Sequence, residues 1–144
     1  MLNTRSLRPG DVERIQELYA QTHWLGNEEA LAKLPGRLMY ALEREDTHLL
    51  TARSDQGLII SMLACSFFYR VGITKVEIED VVTDSEYRRQ GYMSALIDFT
   101  LEWLREQEIG EIYLLSSDKA MIAHSLYQSK GFSRYDTNCF VLET

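Results

Sequence analysis

Residues 76–96 read VEIEDVVTDSEYRRQGYMSAL, and this stretch decides the fold. Val76, Ile78, Val81 and Val82 favour an extended strand. Arg88-Arg89-Gln90-Gly91 then turns the chain into residues 92–107, where Met93, Leu96, Ile97, Thr100 and Leu104 fall at helical spacing. A strand that feeds a helix through a glycine turn leaves several backbone N–H groups at the helix start without partners. Together with the positive end of the helix dipole, those groups form an anion site. Arg88 and Arg89 at its mouth add charge and forked donors suited to phosphate. The combination predicts a cradle for a pyrophosphate.

Downstream, residues 111–116 (EIYLLS) read as a short buried strand, parallel to the first through a right-handed crossover. Residues 119–128 form a helix with Ser117 or Asp118 as its cap, and Gly131 closes it in a left-handed conformation. Residues 132–136 and 139–142 finish as an antiparallel pair about Thr137-Asn138. Upstream, residues 48–53 and 58–68 are strands joined at Ser54-Asp55-Gln56-Gly57, and Gly72 marks the next turn. The N-terminal part opens with a strand over residues 4–8, ended by Pro9-Gly10. A helix capped by Asp11 follows, with Val12, Ile15, Leu18, Tyr19 and Thr22 on its apolar face. A second helix starts at Asn27 and is broken at Pro35-Gly36, before a further short helix over residues 37–45. The fold class is mixed α/β, a mostly antiparallel sheet flanked by helices with a parallel strand pair near its centre. Where that pair diverges, a ligand belongs at the carboxyl ends of the strands.

The 144 residues suit one domain, 1–144, with a substantial core. A hydrophobic share of 45% beside 26% charged residues is that of an ordinary soluble protein. The longest apolar run, residues 58–68, is interrupted by Ser61 and Ser66 and is too short to span a membrane. No apolar signal core appears near the N-terminus, and Cys65 and Cys139 make neither a disulfide framework nor a zinc pattern. Both read as buried strand thiols, and a reducing cytoplasm is the expected setting. A net charge of −7 and a pI near 5.0 argue against a nucleic-acid binder. His23, His48 and His124 have no ligand spacing, so no metal is expected.

A second informative stretch is Ala123-His124-Ser125-Leu126-Tyr127-Gln128-Ser129-Lys130-Gly131-Phe132. Taken with the first, it resembles the GNAT superfamily of acyl-CoA-dependent N-acyltransferases. The family's phosphate pattern is Gln or Arg, two residues, Gly, one residue, then Gly or Ala. Arg88-Arg89-Gln90-Gly91-Tyr92-Met93 fits all but the last place. Its later pattern, an Ala four residues before a Tyr followed by Gly-Phe, appears as Ala123, Tyr127, Gly131 and Phe132. Two departures stand out. Met93 replaces the small residue that lets the pyrophosphate approach, and Ala120 stands where many members have an Asn.

The resemblance implies a GNAT-like sheet whose parallel pair splays beside a bulge, with acetyl-CoA as donor cosubstrate and no metal. Its pantetheine would pair with strand backbone near Val81, Val82 and Thr83. Its diphosphate would lie on Arg88, Arg89, Gln90, Gly91, Tyr92, Met93 and Ser94, with Ser117 or Asp118 replacing the missing Asn. A backbone N–H close to Val81 or Val82 would hold the oxyanion. Tyr127 is the candidate acid for the departing thiolate. Glu77, Glu79 and Asp80 are the candidate bases, with Glu77 and Glu79 on one strand face and Asp80 on the other until a bulge changes the parity. Trp24, Tyr40, Phe67, Phe68 and Tyr69 are candidates for lining an acceptor pocket, although packing suits most of them better. The family and the aromatic run Phe67-Phe68-Tyr69 also allow a homodimer.

The leading function is N-acetyl transfer from acetyl-CoA to a primary amine of a small molecule or protein, by direct attack in a ternary complex. A non-catalytic acyl-CoA-binding module is the alternative; Tyr127 and the strand acids favour the enzyme. A P-loop nucleotide binder is disfavoured, because no Lys-Ser/Thr follows the turn.

Overall fold

The computed structural model describes residues 2–3, 7–22 and 27–144. Its elements run β1 (Leu2–Asn3), α1 (Asp11–Ala20), α2 (Glu28–Glu43), β2 (Thr47–Arg53), β3 (Ile59–Arg70), β4 (Ile73–Thr83), a 3₁₀ turn (Ser85–Tyr87), α3 (Tyr92–Arg105), β5 (Glu111–Leu114) and α4 (Met121–Ser129). The strands form one sheet in the order β1-β2-β3-β4-β5. Neighbours are antiparallel except β4 and β5, which run parallel with Lys75 to Ile78 set against Glu111 to Leu114. This is the mixed, mostly antiparallel α/β sheet that the sequence predicts.

The two faces of the sheet bury different side chains. On one, Leu96, Ile97 and Leu104 of α3 and Tyr127 of α4 pack on Leu50, Leu63, Cys65, Phe67, Val76 and Ile78. On the other, Ile15 and Leu18 of α1 and Leu34 of α2 cover Leu49, Ile59, Met62 and Val82. The alternation along β2, β3 and β4 thus fills two cores, one on each side.

Several local expectations are corrected. Asn27 does cap α2, accepting from the Ala30 N–H at 2.8 Å, but Pro35 does not end it. The helix runs on to Glu43, because Leu34, Leu38 and Leu42 share one buried stripe that outweighs the bond lost at the proline. Asp11 is not a side-chain cap. Gly10, at φ +85°, holds the cap position, and the Asp11 carboxylate instead accepts both arms of Arg53 at 2.8 and 2.7 Å and the Arg8 N–H at 2.8 Å. Of the strand expected over residues 4–8, residues 4–6 lie outside the described residues and 7–8 are not strand; the pairing seen is that of Leu2–Asn3 with Thr51 and Leu50.

α4 starts two residues later than expected, behind Ala120, with neither Ser117 nor Asp118 as its cap. Its C-terminus closes as predicted. Gly131, at φ +92°, donates to the Gln128 carbonyl at 3.0 Å, and Phe132 donates to the Tyr127 carbonyl at 3.1 Å. The Phe132 ring lies against Tyr127, completing the hydrophobic contact of a Schellman cap. Beyond it, residues 132–136 and 139–142 form no strands. Phe140 is 93% exposed and Leu142 86%, so their strand-type side chains find no half-buried surface to fit. The parallel pair consequently sits at the edge of the described sheet and not at its centre.

Candidate functional site

The site grows from one irregularity in β4. Ala64 of β3 pairs with Glu79 and Met62 pairs with Val82, so β4 carries one more residue than its partner across this step. Asp80 absorbs the bulge at φ +52°, a left-handed conformation that aspartate tolerates better than most residues. Before the bulge, Val76 and Ile78 point toward α3, and Glu77 and Glu79 alternate with them toward the α1 side. After it, Val81 faces the α3 core and Val82 the α1 core. Asp80 comes to the α1 side, where the Tyr19 phenol meets it. The parity change brings all three strand acids to one face.

Burial raises the Asp80 pKa above the usual aspartate value, with the Tyr19 phenol working against the rise and the Glu79 charge adding to it. Glu77 is also raised, first by burial and then by Glu79. Glu79 accepts from the Ser66 hydroxyl at 2.8 Å. The Tyr19 phenol is pushed up by its own burial and by the Asp80 charge. It therefore stays protonated and able to donate.

Beside the bulge the parallel pair parts. Register between β4 and β5 ends at Ile78 and Leu114, whereas β4 continues through Glu79, Asp80, Val81, Val82 and Thr83. Val81, Met93, Leu114, Ala123, Leu126 and Tyr127 pack together on the α3 side of this opening. Tyr127 is 8% exposed, and burial raises its phenol pKa. Tyr127 and the acids are thus on opposite faces of one opening.

Past Thr83, the chain makes its 3₁₀ turn and enters α3. Arg89 and Gly91 adopt φ +61° and +85°, and the first intrahelical bond is the Ala95 N–H to the Gly91 carbonyl at 2.9 Å. No side chain caps α3, and its first turn holds no acid. The amides of Tyr92, Met93 and Ser94 are therefore left pointing out of the helix start, the arrangement that favours an anion. Arg88 and Arg89 are exposed beside them, with the Arg88 Nε donating back to the Thr83 carbonyl at 3.1 Å. Gln90 folds onto the Glu86 carbonyl at 3.2 Å. The Met93 side chain is partly buried against the α3 core. Ser117, exposed, accepts from the Lys119 N–H at 3.3 Å in the loop before α4.

Other candidates separate clearly. His48 is buried between Phe67 and Trp103, ring to ring, and Phe67 belongs to the core. Tyr40, Phe68 and Tyr69 are exposed, and Trp24 and His23 lie outside the described residues. Cys65 is a buried strand thiol, its pKa pushed up to about 12 by burial and by Glu79, but Cys139 is exposed and off any strand. Sequence reading missed Tyr19 opposite Asp80, and it missed a polar seam between α1 and the 3₁₀ turn. The seam joins residues 63 and 70 positions apart, a distance at which a sequence offers no local signal.

Comparison with known proteins agrees with this architecture. The human protein N-acetyltransferase 8 is 33% identical over 66 residues, which is 46% of this chain and 29% of that protein, so the match spans under a third of the curated relative. A solved structure described as a transcriptional regulator from Bacillus halodurans superposes with TM-score 0.80 at 22% identity, over 99% of this chain and 100% of that one. AAC(6')-Iy, solved with a CoA-linked bisubstrate analogue, superposes with TM-score 0.74 at 18% identity, over 96% and 95%. At those identities the likeness is one of fold. The family model for GNAT acetyltransferases matches residues 12–132, which takes in the bulged strand, the turn into α3 and Tyr127, and the chain belongs to that family.

Proposed function

We propose that this chain, acting as one domain, transfers an acetyl group from acetyl-CoA to a primary amine within a ternary complex. One observation carries the reading: β4 outruns β5 at a bulge and leads directly to the uncapped start of α3. That geometry offers strand backbone at Val81, Val82 and Thr83 for a pantetheine arm and the amides of Tyr92, Met93 and Ser94 for its diphosphate. Arg88, Arg89 and Gln90 border the diphosphate, and Ser117 flanks the far wall. Partial burial of Met93 against the core supports a close approach there despite the missing small residue.

In the reaction the amine nitrogen attacks the thioester carbonyl carbon, the C–S bond breaks and the thiolate leaves. The ammonium form of the acceptor must first lose a proton, and Glu77, Glu79 and Asp80 line the face from which it would approach. Of these we favour Asp80, because the bulge sets it at the opening and burial makes it a better base than an ordinary aspartate. Tyr127, kept protonated by burial on the opposite face, supplies the proton to the leaving sulfur; the attacking nitrogen sheds its extra proton as the amide forms, and that proton, passed through solvent, restores the phenol. Acids on the acceptor side suit a cationic amine. The CoA-linked ligand of AAC(6')-Iy supports the same donor.

Thermal unfolding with and without acetyl-CoA, followed by thiol release across a panel of amines, tests this. Donor at a hundredfold over its Kd should add about 2.7 kcal/mol of stability, and one amine class should release thiol. Stabilisation with no release by any amine would favour an acyl-CoA-binding module instead.

A further inference from the structure

α1 is fastened to the segment that leads from β4 to α3. The Arg14 guanidinium donates through Nε to the Ile59 carbonyl at 2.8 Å and through a terminal nitrogen to Asp84 Oδ2 at 2.5 Å. Asp84 is 5% exposed, and its other oxygen accepts from the Glu86 N–H at 2.8 Å, capping the 3₁₀ turn. Gln21, at the C-terminus of α1, completes the seam. Its carbonyl oxygen accepts from the Ser85 N–H at 2.8 Å, and its amide nitrogen donates to Asp84 Oδ2 at 3.2 Å. Only one orientation of the amide satisfies both partners, so Gln21 reads the position of this turn at two points.

The turn is the first part of the path to the anion cradle. From Asp84 the chain passes Tyr87 and Arg88 and reaches Gly91, where α3 starts. Donors aimed at a charged group work only if they are held in place before it arrives. α1 is itself fixed at its other end by the paired arms of Arg53 on Asp11. It therefore forms a rigid strut between β2 and the cradle. We propose that Gln21 and Arg14 are positioning residues for the donor's diphosphate, holding Asp84 and Ser85 so that the first-turn amides of α3 stand ready for it. This rests on the acyl-CoA reading above.

The test separates the diphosphate-bearing nucleotide half of the donor from its pantetheine arm. Gln21 is exposed, and Gln21→Leu keeps its size while removing both bonds. Calorimetry with CoA and with pantetheine, which lacks the phosphates, should show CoA binding weakened roughly five- to tenfold and pantetheine binding unchanged. Equal weakening of both, or of neither, overturns the role of the seam while leaving the donor site intact. A wild-type chain that takes up no CoA overturns the donor reading itself.

Discussion

At Tyr127 the proposed chemistry falls on a side chain that also packs the core. Its ring belongs to the α3 core and stacks edge-on with Phe132, whose amide closes α4. Removing only the hydroxyl leaves those apolar contacts in place. Tyr127→Phe should therefore bind acetyl-CoA within about twofold of wild type while kcat falls by roughly 10²-fold or more, as loss of a general acid implies. Steady-state kinetics beside calorimetry measures both, and an unchanged kcat removes the phenol from the mechanism. This residue was legible because its partners Ala123, Gly131 and Phe132 lie within one short stretch. Tyr19 was not, since it reads as one more apolar position on α1 until the fold brings Asp80 opposite it.

At the scale of the element, β4 holds a strained and partly desolvated acid in the middle of a strand. A carboxyl group whose folded pKa is raised weakens the fold above that pKa, and the penalty disappears as pH falls through it. Asp80→Asn should therefore raise stability at neutral pH, with a Tm increase of roughly 2–4 °C, and abolish most turnover. Asparagine also accepts the left-handed backbone at φ +52°, so the bulge survives the change. Differential scanning calorimetry at pH 7 and pH 4 measures this, and the gain should shrink at the lower pH. β2, β3, β4, β5 and α3 were readable from their periodicity and turn glycines. Pro35 misled because packing of Leu34, Leu38 and Leu42 decided α2, and residues 139–142 misled because strand propensity counts only where a sheet surface is there to receive it.

For the molecule as a whole, acid should act through two carboxylates that sew α1 to the sheet. Paired first with Arg53, Asp11 is held below the usual carboxylate value despite burial. Burial alone would raise Asp84, but the Glu86 N–H, Arg14 and Gln21 together outweigh it and hold it low. Their stabilisation is complete above the ordinary carboxylate range and is lost as pH falls through the folded values. Asp84→Asn should cost about 2 kcal/mol at pH 7, because the partly buried Arg14 loses the more buried of its two carboxylate partners and keeps only Glu17, and much less near pH 2. Urea midpoints at the two pH values test this; an equal cost at both would deny the ion pair its role. These long-range pairs were invisible in the sequence, whereas the sheet, the crossover and the turn into α3 were predicted from local pattern.

The extra residue at the β4 bulge carries one more implication. Side chains on a strand alternate by strict twos, so everything from Val82 onward keeps its side of the sheet only because β4 is one residue longer than β3 at that step. Losing that residue would turn Val82 out of its core and rotate the path into the 3₁₀ turn. The tally of residues in this strand, as much as their identity, therefore aims the chain that follows it.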